Sequence, residues 1–269
     1  MEISLNTSKW YDRLWAALIF FTRLPFWRIY QPPKKSYQYV VEFWPLAGWL
    51  TAGVMAGVLY GASLVLSYEI AIILAIVSRL LLTGALHEDG LADFFDGFGG
   101  GGRDRQRILD IMKDSHIGTY GVLALVVYML LLFFVLHTLT PVDAALTILA
   151  VDPYAKMVSA QVIQMMPYAR TEETAKNRTV YSKFSAAAGI GLAIQGLLPI
   201  GLYLWWMQGR IDWSLLIFLP CLTMYFLYLF IWHRLRGYTG DCCGALFLLT
   251  ELTAYLIVSY SLSNFPFFE

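Results

Sequence analysis

Long apolar segments alternate with shorter polar ones along most of the chain. A membrane-spanning helix needs about 20 mostly apolar residues. Seven segments meet this requirement, at approximately 43–66, 69–86, 118–139, 144–166, 186–207, 213–232 and 243–263. The segment 8–24 is also apolar but carries several charges, which favours a helix lying on the membrane surface over a short eighth span. The pattern predicts an all-α, polytopic integral membrane protein that forms one domain over 1–269, with about seven transmembrane helices and an N-terminal interfacial helix.

The distribution of positive charge predicts the orientation. Three polar loops, at about 87–117, 167–185 and 233–242, fall on the same side as the N-terminus. That side carries sixteen of the nineteen lysines and arginines, whereas the opposite turns carry only Arg210. Because short cytoplasmic loops are enriched in Lys and Arg, we expect the N-terminus and the three loops to be cytoplasmic and the C-terminus to be outside. The expected location is the bacterial inner membrane.

Composition supports a membrane protein and narrows the partners. Hydrophobic residues make up 58% of the 269 residues and charged residues 14%, against about 25% charged in soluble domains. The formal net charge is zero, so no global basic field indicates nucleic acid as a partner. The three cysteines have neither a zinc-site spacing nor a disulfide pattern.

The candidate chemistry begins with the run H-E-D-G-L-A-D-F-F-D-G at 87–97. Asp89, Asp93 and Asp96 are four and three residues apart, a spacing that places them on one face of a helix. A cation would relieve their mutual repulsion, and carboxylate oxygens suit a hard ion such as Mg²⁺ or Mn²⁺. The structural alternative is a solvated acidic loop.

A second acidic pair follows in the same polar segment. Asp110 and Asp114 are again four residues apart, and a glycine run at 97–102 separates them from the first cluster. Arg103 and Arg107 follow the glycines, and arginine binds phosphate oxygens in a bidentate manner. The segment therefore suggests a metal–pyrophosphate site. The glycines could equally form a flexible linker, and the arginines could serve only to hold the loop inside.

The flanks of this segment and the other two loops supply further candidates. His87 and His116 flank the acidic clusters and could act as ligands, proton carriers or structural hydrogen-bonding groups. Arg170 begins the loop 167–185, and Asp241 lies among glycines in the loop 233–242. Glycines around an acidic residue indicate a backbone shaped around a ligand, although a simple turn would give the same pattern.

Several of these motifs together resemble the cobalamin synthase family, the adenosylcobinamide-GDP ribazoletransferases. The resemblance rests mainly on T-G-A-L-H-E-D-G-L-A-D-F-F-D-G (83–97) and D-I-M-K-D-S-H-I-G-T-Y-G (110–121). Shorter matches are F-F-T-R-L-P (20–25), F-W-P-L-A-G (43–48), P-Y-A-R (167–170) and T-G-D-C-C-G-A (239–245). They cover nearly the whole chain in the right order. The chain departs from the family pattern after Arg170, where Glu172 and Glu173 precede Thr174 and Ala175 instead of glycines.

The resemblance implies a Mg²⁺-dependent transfer at the membrane surface. The 5′-hydroxyl of α-ribazole, or of its 5′-phosphate, would attack adenosylcobinamide-GDP and release GMP. The expected metal ligands are Asp89, Asp93, Asp96 and Asp110. The expected catalytic residues are Asp114, as general base, and His87. The expected substrate contacts are Glu88, Arg103, Arg107, Lys113, His116, Arg170 and Asp241. Other expected partners are the lipid bilayer, further cobalamin-assembly enzymes and a second copy of the chain.

Two other functions fit parts of the sequence. CDP-alcohol phosphatidyltransferases share the logic of D-x-x-D-G followed by D-x-x-x-D, which Asp93, Asp96, Asp110 and Asp114 imitate. The Ala-Arg that follows the glycine in that family is missing here, and the gap between the halves is about one helical turn too short. A transporter or scaffold without catalysis is the third hypothesis, and crowded carboxylates at one membrane face argue against it.

Overall fold

The computed structural model describes residues 8–171 and 180–264. In these residues the chain forms eleven α-helices and two 3₁₀ segments, at Phe26–Arg28 and Lys34–Phe43. The α-helices are α1 (Trp10–Phe21), α2 (Trp44–Ser63), α3 (Tyr68–Thr83), α4 (Leu86–Gly100), α5 (Arg105–Lys113), α6 (Thr119–His137), α7 (Pro141–Ala160), α8 (Val162–Met165), α9 (Ala186–Met207), α10 (Trp213–Leu235) and α11 (Gly240–Asn264).

The structure confirms the all-α fold class. Across the two described ranges, the one extended pairing is an isolated bridge between Tyr168 and Tyr238. Each predicted span contains a helix, and α1 lies within the predicted interfacial segment 8–24. Among the described residues, five helical segments are long and apolar enough to cross a membrane, and six if the bent pair α3–α4 counts as one span. The chain is therefore a multi-pass membrane protein, and the count of seven spans stays a prediction.

The first long polar segment, 87–117, is mostly helical, because it folds into α4 and α5. Helix α3 ends at Gly84, whose positive φ of 66° is a left-handed conformation that glycine adopts without strain. Helix α4 then begins at an angle of 88° to α3. A side chain at this turn would also displace that of Arg23, since a Cβ on residue 84 would lie 2.1 Å from Nε of Arg23.

Helices α7 and α11 form the centre of the bundle. Helix α7 contacts α2, α9, α10 and α11, and α11 also packs against α4 and α6. Most side chains of both helices are buried, including the charged Asp152 and Lys156 of α7 and Glu251 of α11. A helix that is apolar or buried around most of its circumference belongs in the interior of a bundle.

The ionisable residues inside the predicted spans are paired. Arg79 donates from Nη1 to both carboxylate oxygens of Glu251, at 2.9 and 2.8 Å, and from Nη2 to the hydroxyl of Tyr128 at 2.8 Å. Lys156 forms an ion pair with Asp152, one helical turn away on α7. These contacts offset the cost of burying each charge and agree with a structural role for these residues within the bundle.

Candidate functional site

Three polar segments that are far apart in sequence meet at one end of the bundle. Residues 167–169 pair with Tyr238 through two backbone hydrogen bonds. The N–H of Ala169 donates to the carbonyl oxygen of Tyr238 at 2.7 Å, and the N–H of Tyr238 donates to the carbonyl oxygen of Pro167 at 3.0 Å. Arg105 joins them to α5 by donating to the carbonyl oxygens of Leu235 and Ala169 at 2.7 and 2.8 Å. The predicted polar segments therefore form one connected surface.

Two glycines bring the first turns of α4 and α11 into direct contact. A Cβ on Gly90 would lie 3.1 Å from the backbone of Asp241, and a Cβ on Gly244 would lie 3.0 Å from the carbonyl oxygen of His87. Side chains larger than hydrogen would push the two helices apart. The close approach places Asp89, next to Gly90, on the same side as Asp241.

The two helix starts open on a cavity of about 360 Å³. Its wall is built from α1, the start of α2, the first turns of α4 and α11, and the segments around 168–170 and 181. The lining residues are Phe20, Phe21, Val41, Trp44, Leu86, His87, Asp89, Tyr168, Arg170, Tyr181, Thr239, Gly240, Asp241, Cys243 and Gly244. The cavity has the size of pockets that bind small molecules.

One side of the cavity is aromatic. The rings of Phe21, Trp44 and His87 stack nearly parallel, with centroids 5.5 Å apart for Phe21–Trp44 and 5.8 Å for Trp44–His87. Nε1 of Trp44 lies 3.4 Å from Nε2 of His87, so the indole N–H donates to the imidazole nitrogen. Phe20 and Tyr168 each make an edge contact with Tyr181. Phe21, Trp44 and His87 are almost fully buried in this stack, whereas Phe20 and Tyr181 are only partly buried.

The other side of the cavity is polar. Asp89 and Asp241 bring two carboxylates, and Arg170 brings a guanidinium whose Nη2 donates to the carbonyl oxygen of Leu109 at 2.5 Å. The hydroxyl of Thr239 accepts from the N–H of Cys242 at 3.3 Å and so caps α11. Backbone N–H groups at helix starts favour anions. The polar side can therefore receive a phosphate and a cation.

The phenols of the cavity are neutral at physiological pH. Burial raises the pKa of Tyr168 and of Tyr181 above the ordinary value for tyrosine. A neutral phenol both donates and accepts a hydrogen bond. Tyr168 and Tyr181 can therefore bind a polar substrate group without adding charge.

The predicted metal cluster is not assembled as expected. Asp96 accepts the N–H of Gly118 at 2.7 Å and the N–H of Gly121 at 2.8 Å, so both its oxygens hold the start of α6. Asp110 lies exposed on α5 and accepts from Gln106 at 2.9 Å. Among the described residues, no group of three or more His, Cys, Asp or Glu side chains is arranged to hold a metal ion. Asp89, Asp93 and Asp96 do lie on one helix, α4, but Asp89 lines the cavity whereas Asp96 is bonded to the start of α6.

The other predicted contacts of the first polar segment lie outside the cavity wall. Asp114 is exposed and accepts from the N–H of His116 at 3.0 Å, while Nδ1 of His116 lies 2.7 Å from the same oxygen. Both hydrogen bonds lower the pKa of Asp114, and the bond from the side chain of His116 has the larger effect. The cationic candidates of this segment are also exposed, namely Arg103, Arg107 and Lys113.

Glu88 faces the interior of the bundle instead of the cavity. It is buried, and its Oε1 lies 3.5 Å from Nη2 of Arg79. Glu88 therefore does not line the cavity, because one position before Asp89 on a helix points about 100° away from it, and its contact with substrate stays a prediction. Among the predicted site residues, the cavity gathers His87, Asp89, Arg170 and Asp241.

Comparison with known proteins decides between the interpretations. Residues 13–259 match the family described as cobalamin-5-phosphate synthase. The chain belongs to this family. It is 30% identical to the adenosylcobinamide-GDP ribazoletransferase of Leptospira interrogans over 93% of this chain and 96% of the relative. It is 34% identical to that of Shewanella frigidimarina over 93% and 96%, and 32% identical to that of Vibrio cholerae over 90% and 91%. No solved structure matches the chain.

Membership of the cobalamin-5-phosphate synthase family favours the ribazoletransferase interpretation over both alternatives. The match covers the whole bundle as well as the acidic motif, whereas the resemblance to CDP-alcohol phosphatidyltransferases is limited to residues 93–114. A transporter or scaffold without catalysis is likewise not favoured, since the similar proteins are named as transferases.

The cavity also contains residues that chemical reasoning from the sequence missed. Phe20, Phe21, Trp44, Tyr168 and Thr239 line it, although none was predicted to contact a ligand. Each belongs to one of the short family motifs at 20–25, 43–48, 167–170 and 239–245. Those motifs were the available signal, because four segments far apart in sequence share one cavity. The predicted loop 167–185 lies partly outside the described residues, at 172–179.

Proposed function

We propose that this chain transfers the adenosylcobinamide phosphate group of adenosylcobinamide-GDP to the 5′-hydroxyl of α-ribazole or its 5′-phosphate. The hydroxyl oxygen attacks the phosphorus on the cobinamide side and gives its proton to a general base, the bond from that phosphorus to the oxygen of GMP breaks, and GMP leaves. The observation that supports this most is a cavity lined both by aromatic side chains and by two carboxylates and an arginine. An aromatic riboside and a diphosphate are the ligand parts that such a cavity suits.

The polar side would bind the diphosphate and hold the reacting groups in line. Arg170 and the backbone N–H groups at the starts of α4 and α11 supply positive potential for phosphate oxygens. Catalysis of phosphoryl transfer depends mainly on such positioning and charge stabilisation. His87, held by its stack and by the hydrogen bond from Trp44, shapes the wall beside this centre.

The oxygen ligands of the cavity fit a Mg²⁺ ion that is held partly by substrate phosphates and water. A closed cage of protein ligands does not fit the described residues, since they contain no group of three suitable side chains. Mg²⁺ is often held by one or two carboxylates together with substrate phosphates and water, and Asp89 and Asp241 offer two carboxylates in one cavity. When bound there, the ion would neutralise charge on the diphosphate.

Our proposal differs from the sequence-based mechanism at the general base. A general base must come within hydrogen-bond reach of the proton that it accepts. Asp114 is exposed and already bonded to His116, so we place it outside the reacting centre. The expected location stays the bacterial inner membrane, with the cavity facing the cytoplasm, where adenosylcobinamide-GDP would arrive.

A GMP-release assay tests the proposal. Membranes that contain the chain are incubated with adenosylcobinamide-GDP and α-ribazole, with and without EDTA. We expect GMP and a cobalamin product in equal amounts, loss of both with EDTA, and recovery with excess Mg²⁺. Absence of GMP release from the untreated membranes would refute the proposed function, and full activity in EDTA would refute the role of the metal.

A further inference from the structure

The cavity is large enough for one part of the reaction only. Pockets that enclose drug-sized ligands measure about 300–1,000 Å³, and this one has about 360 Å³. Such a volume encloses a nucleoside but not a corrinoid macrocycle. Two nucleosides lie next to the reacting diphosphate, the α-ribazole acceptor and the guanosine of the donor, and both carry a planar base; the adenosyl group of the donor belongs to the corrinoid.

The aromatic wall distinguishes between these two bases. Phe20 and Phe21 have no polar atoms, and the indole N–H of Trp44 is already donated to His87. Guanine has donors and acceptors along its edges, and each of them that Phe20, Phe21 and Trp44 enclose out of reach of the Tyr181 hydroxyl would lose its partner at a cost of about 1–3 kcal/mol. A benzimidazole-type base has two ring nitrogens and otherwise apolar edges, so it loses little on entering.

The polar side completes the match to an acceptor riboside. Its Asp89, Arg170 and Asp241 line the same cavity as the aromatic residues. A riboside whose base lies on the aromatic wall would direct its ribose, and hence its 5′-hydroxyl, to these residues. This is where the proposed reaction needs that hydroxyl.

We infer that the cavity is the acceptor subsite, in which the planar bicyclic base of α-ribazole stacks on Phe20 or Tyr181, the partly buried rings of a wall that Phe21 and Trp44 complete. The inference rests on the proposed function. It assigns the guanosine and the corrinoid of the donor to the open side of the cavity. Phe20 and Tyr181 become the residues that set the preference for the acceptor base.

Substitutions that remove a ring test the subsite. Phe20→Leu and Tyr181→Leu keep an apolar side chain but remove the flat surface. Base–aromatic stacking contributes about 1–3 kcal/mol, so we expect the KM for α-ribazole to rise about tenfold in each variant. The KM for adenosylcobinamide-GDP should stay within about twofold of the wild-type value. Tyr181→Phe keeps the ring and should retain the wild-type KM for α-ribazole.

A matched control excludes a general effect of losing a ring. Phe226→Leu changes an exposed phenylalanine on α10, away from the cavity, and should leave both KM values unchanged. Thermal unfolding in detergent is compared for all variants, so that a misfolded protein is not read as weak binding. Binding of α-ribazole alone, measured by isothermal titration calorimetry, gives the same comparison without turnover.

The outcomes separate the inference from the proposed function. A raised KM for adenosylcobinamide-GDP with an unchanged KM for α-ribazole would place guanosine in the cavity and overturn the inference. Unchanged KM values for both substrates would also overturn it. Either result leaves the proposed function standing, because wild-type GMP release is measured separately.

Discussion

Asp89 and Asp241 come from segments about 150 residues apart, yet both line one cavity because Gly90 and Gly244 allow α4 and α11 to touch. The other predicted carboxylates have different neighbours, since Asp96 holds the start of α6 and Asp114 accepts from His116. At the scale of single residues, the acidic side chains of this chain therefore divide into cavity, structural and surface groups.

The cavity carboxylates should be the ones on which turnover depends. We expect Asp89→Asn and Asp241→Asn to lower kcat/KM by about 100-fold or more, because each removes charge that stabilises the metal-bound diphosphate. Asp114→Asn should cost less than about tenfold, as expected for a group outside the reacting centre. GMP release by the three variants in membranes with equal protein content gives the comparison. A larger loss for Asp114→Asn would restore it as the general base.

The pH dependence gives an independent test of Asp114. The hydrogen bonds from His116 lower the pKa of Asp114, so His116→Ala, which removes the side-chain bond, should raise that pKa toward its ordinary value. If Asp114 were the base, activity would then be lost at a higher pH on the acid side of the kcat profile. We expect the acid limb to stay where it is in the wild-type protein. A shift to higher pH would contradict the location of the reacting centre.

At the scale of helices, the contact between α4 and α6 depends on Asp96. A helix start has backbone N–H groups without partners inside the helix, and both oxygens of Asp96 serve two of them on α6. The carboxylate also complements the positive end of the helix dipole. This contact fixes the direction in which the chain leaves the polar surface and enters the bundle.

Replacing Asp96 should therefore lower the stability of the protein equally in the presence and in the absence of Mg²⁺. Hydrogen bonds to a charged group contribute about 1.5–3 kcal/mol, so Asp96→Asn should lower the Tm by several degrees. The decrease should be the same in Mg²⁺ and in EDTA. Asp110→Asn, on the exposed face of α5, is the control and should keep the wild-type Tm. A decrease that disappears in EDTA would indicate that Asp96 binds metal.

At the scale of the whole molecule, the charge asymmetry predicts which way the bundle lies in the membrane. The polar surface with its cavity, α5 and the segments around 168 and 238 gathers at one end. Arg210, which forms an ion pair with Asp143, lies in the turn between α9 and α10. From the positive-inside rule we expect the first end to face the cytoplasm and the second to face outside.

Labelling of introduced thiols tests this orientation. Arg103→Cys and Trp213→Cys replace exposed residues at the two ends. A membrane-impermeant maleimide should label position 213 in right-side-out vesicles and position 103 only in inside-out vesicles. The parent protein, whose own cysteines are buried or half-buried, gives the background. The reverse pattern of labelling would invert the orientation and place the cavity outside.

The sequence by itself determined the fold class, the approximate positions of the helices and the polar segments that build the site. The length of each apolar segment and the charges beside it suffice to predict these features, because each segment enters the bilayer according to its own length and apolar character. The family likewise follows from motifs that are local in sequence.

Only the tertiary structure decided which of the candidate side chains work together. Helical spacing aligned Asp89, Asp93 and Asp96 on α4, but it carries no information about the helices that pack against each position. Asp96 accepts hydrogen bonds from the start of α6, and Glu88 lies in the interior of the bundle near Arg79. The packing of α11 against α4 brings Asp241 close to Asp89. A site made by the packing of distant segments depends on contacts across the bundle, and those contacts leave no periodic signal in the sequence.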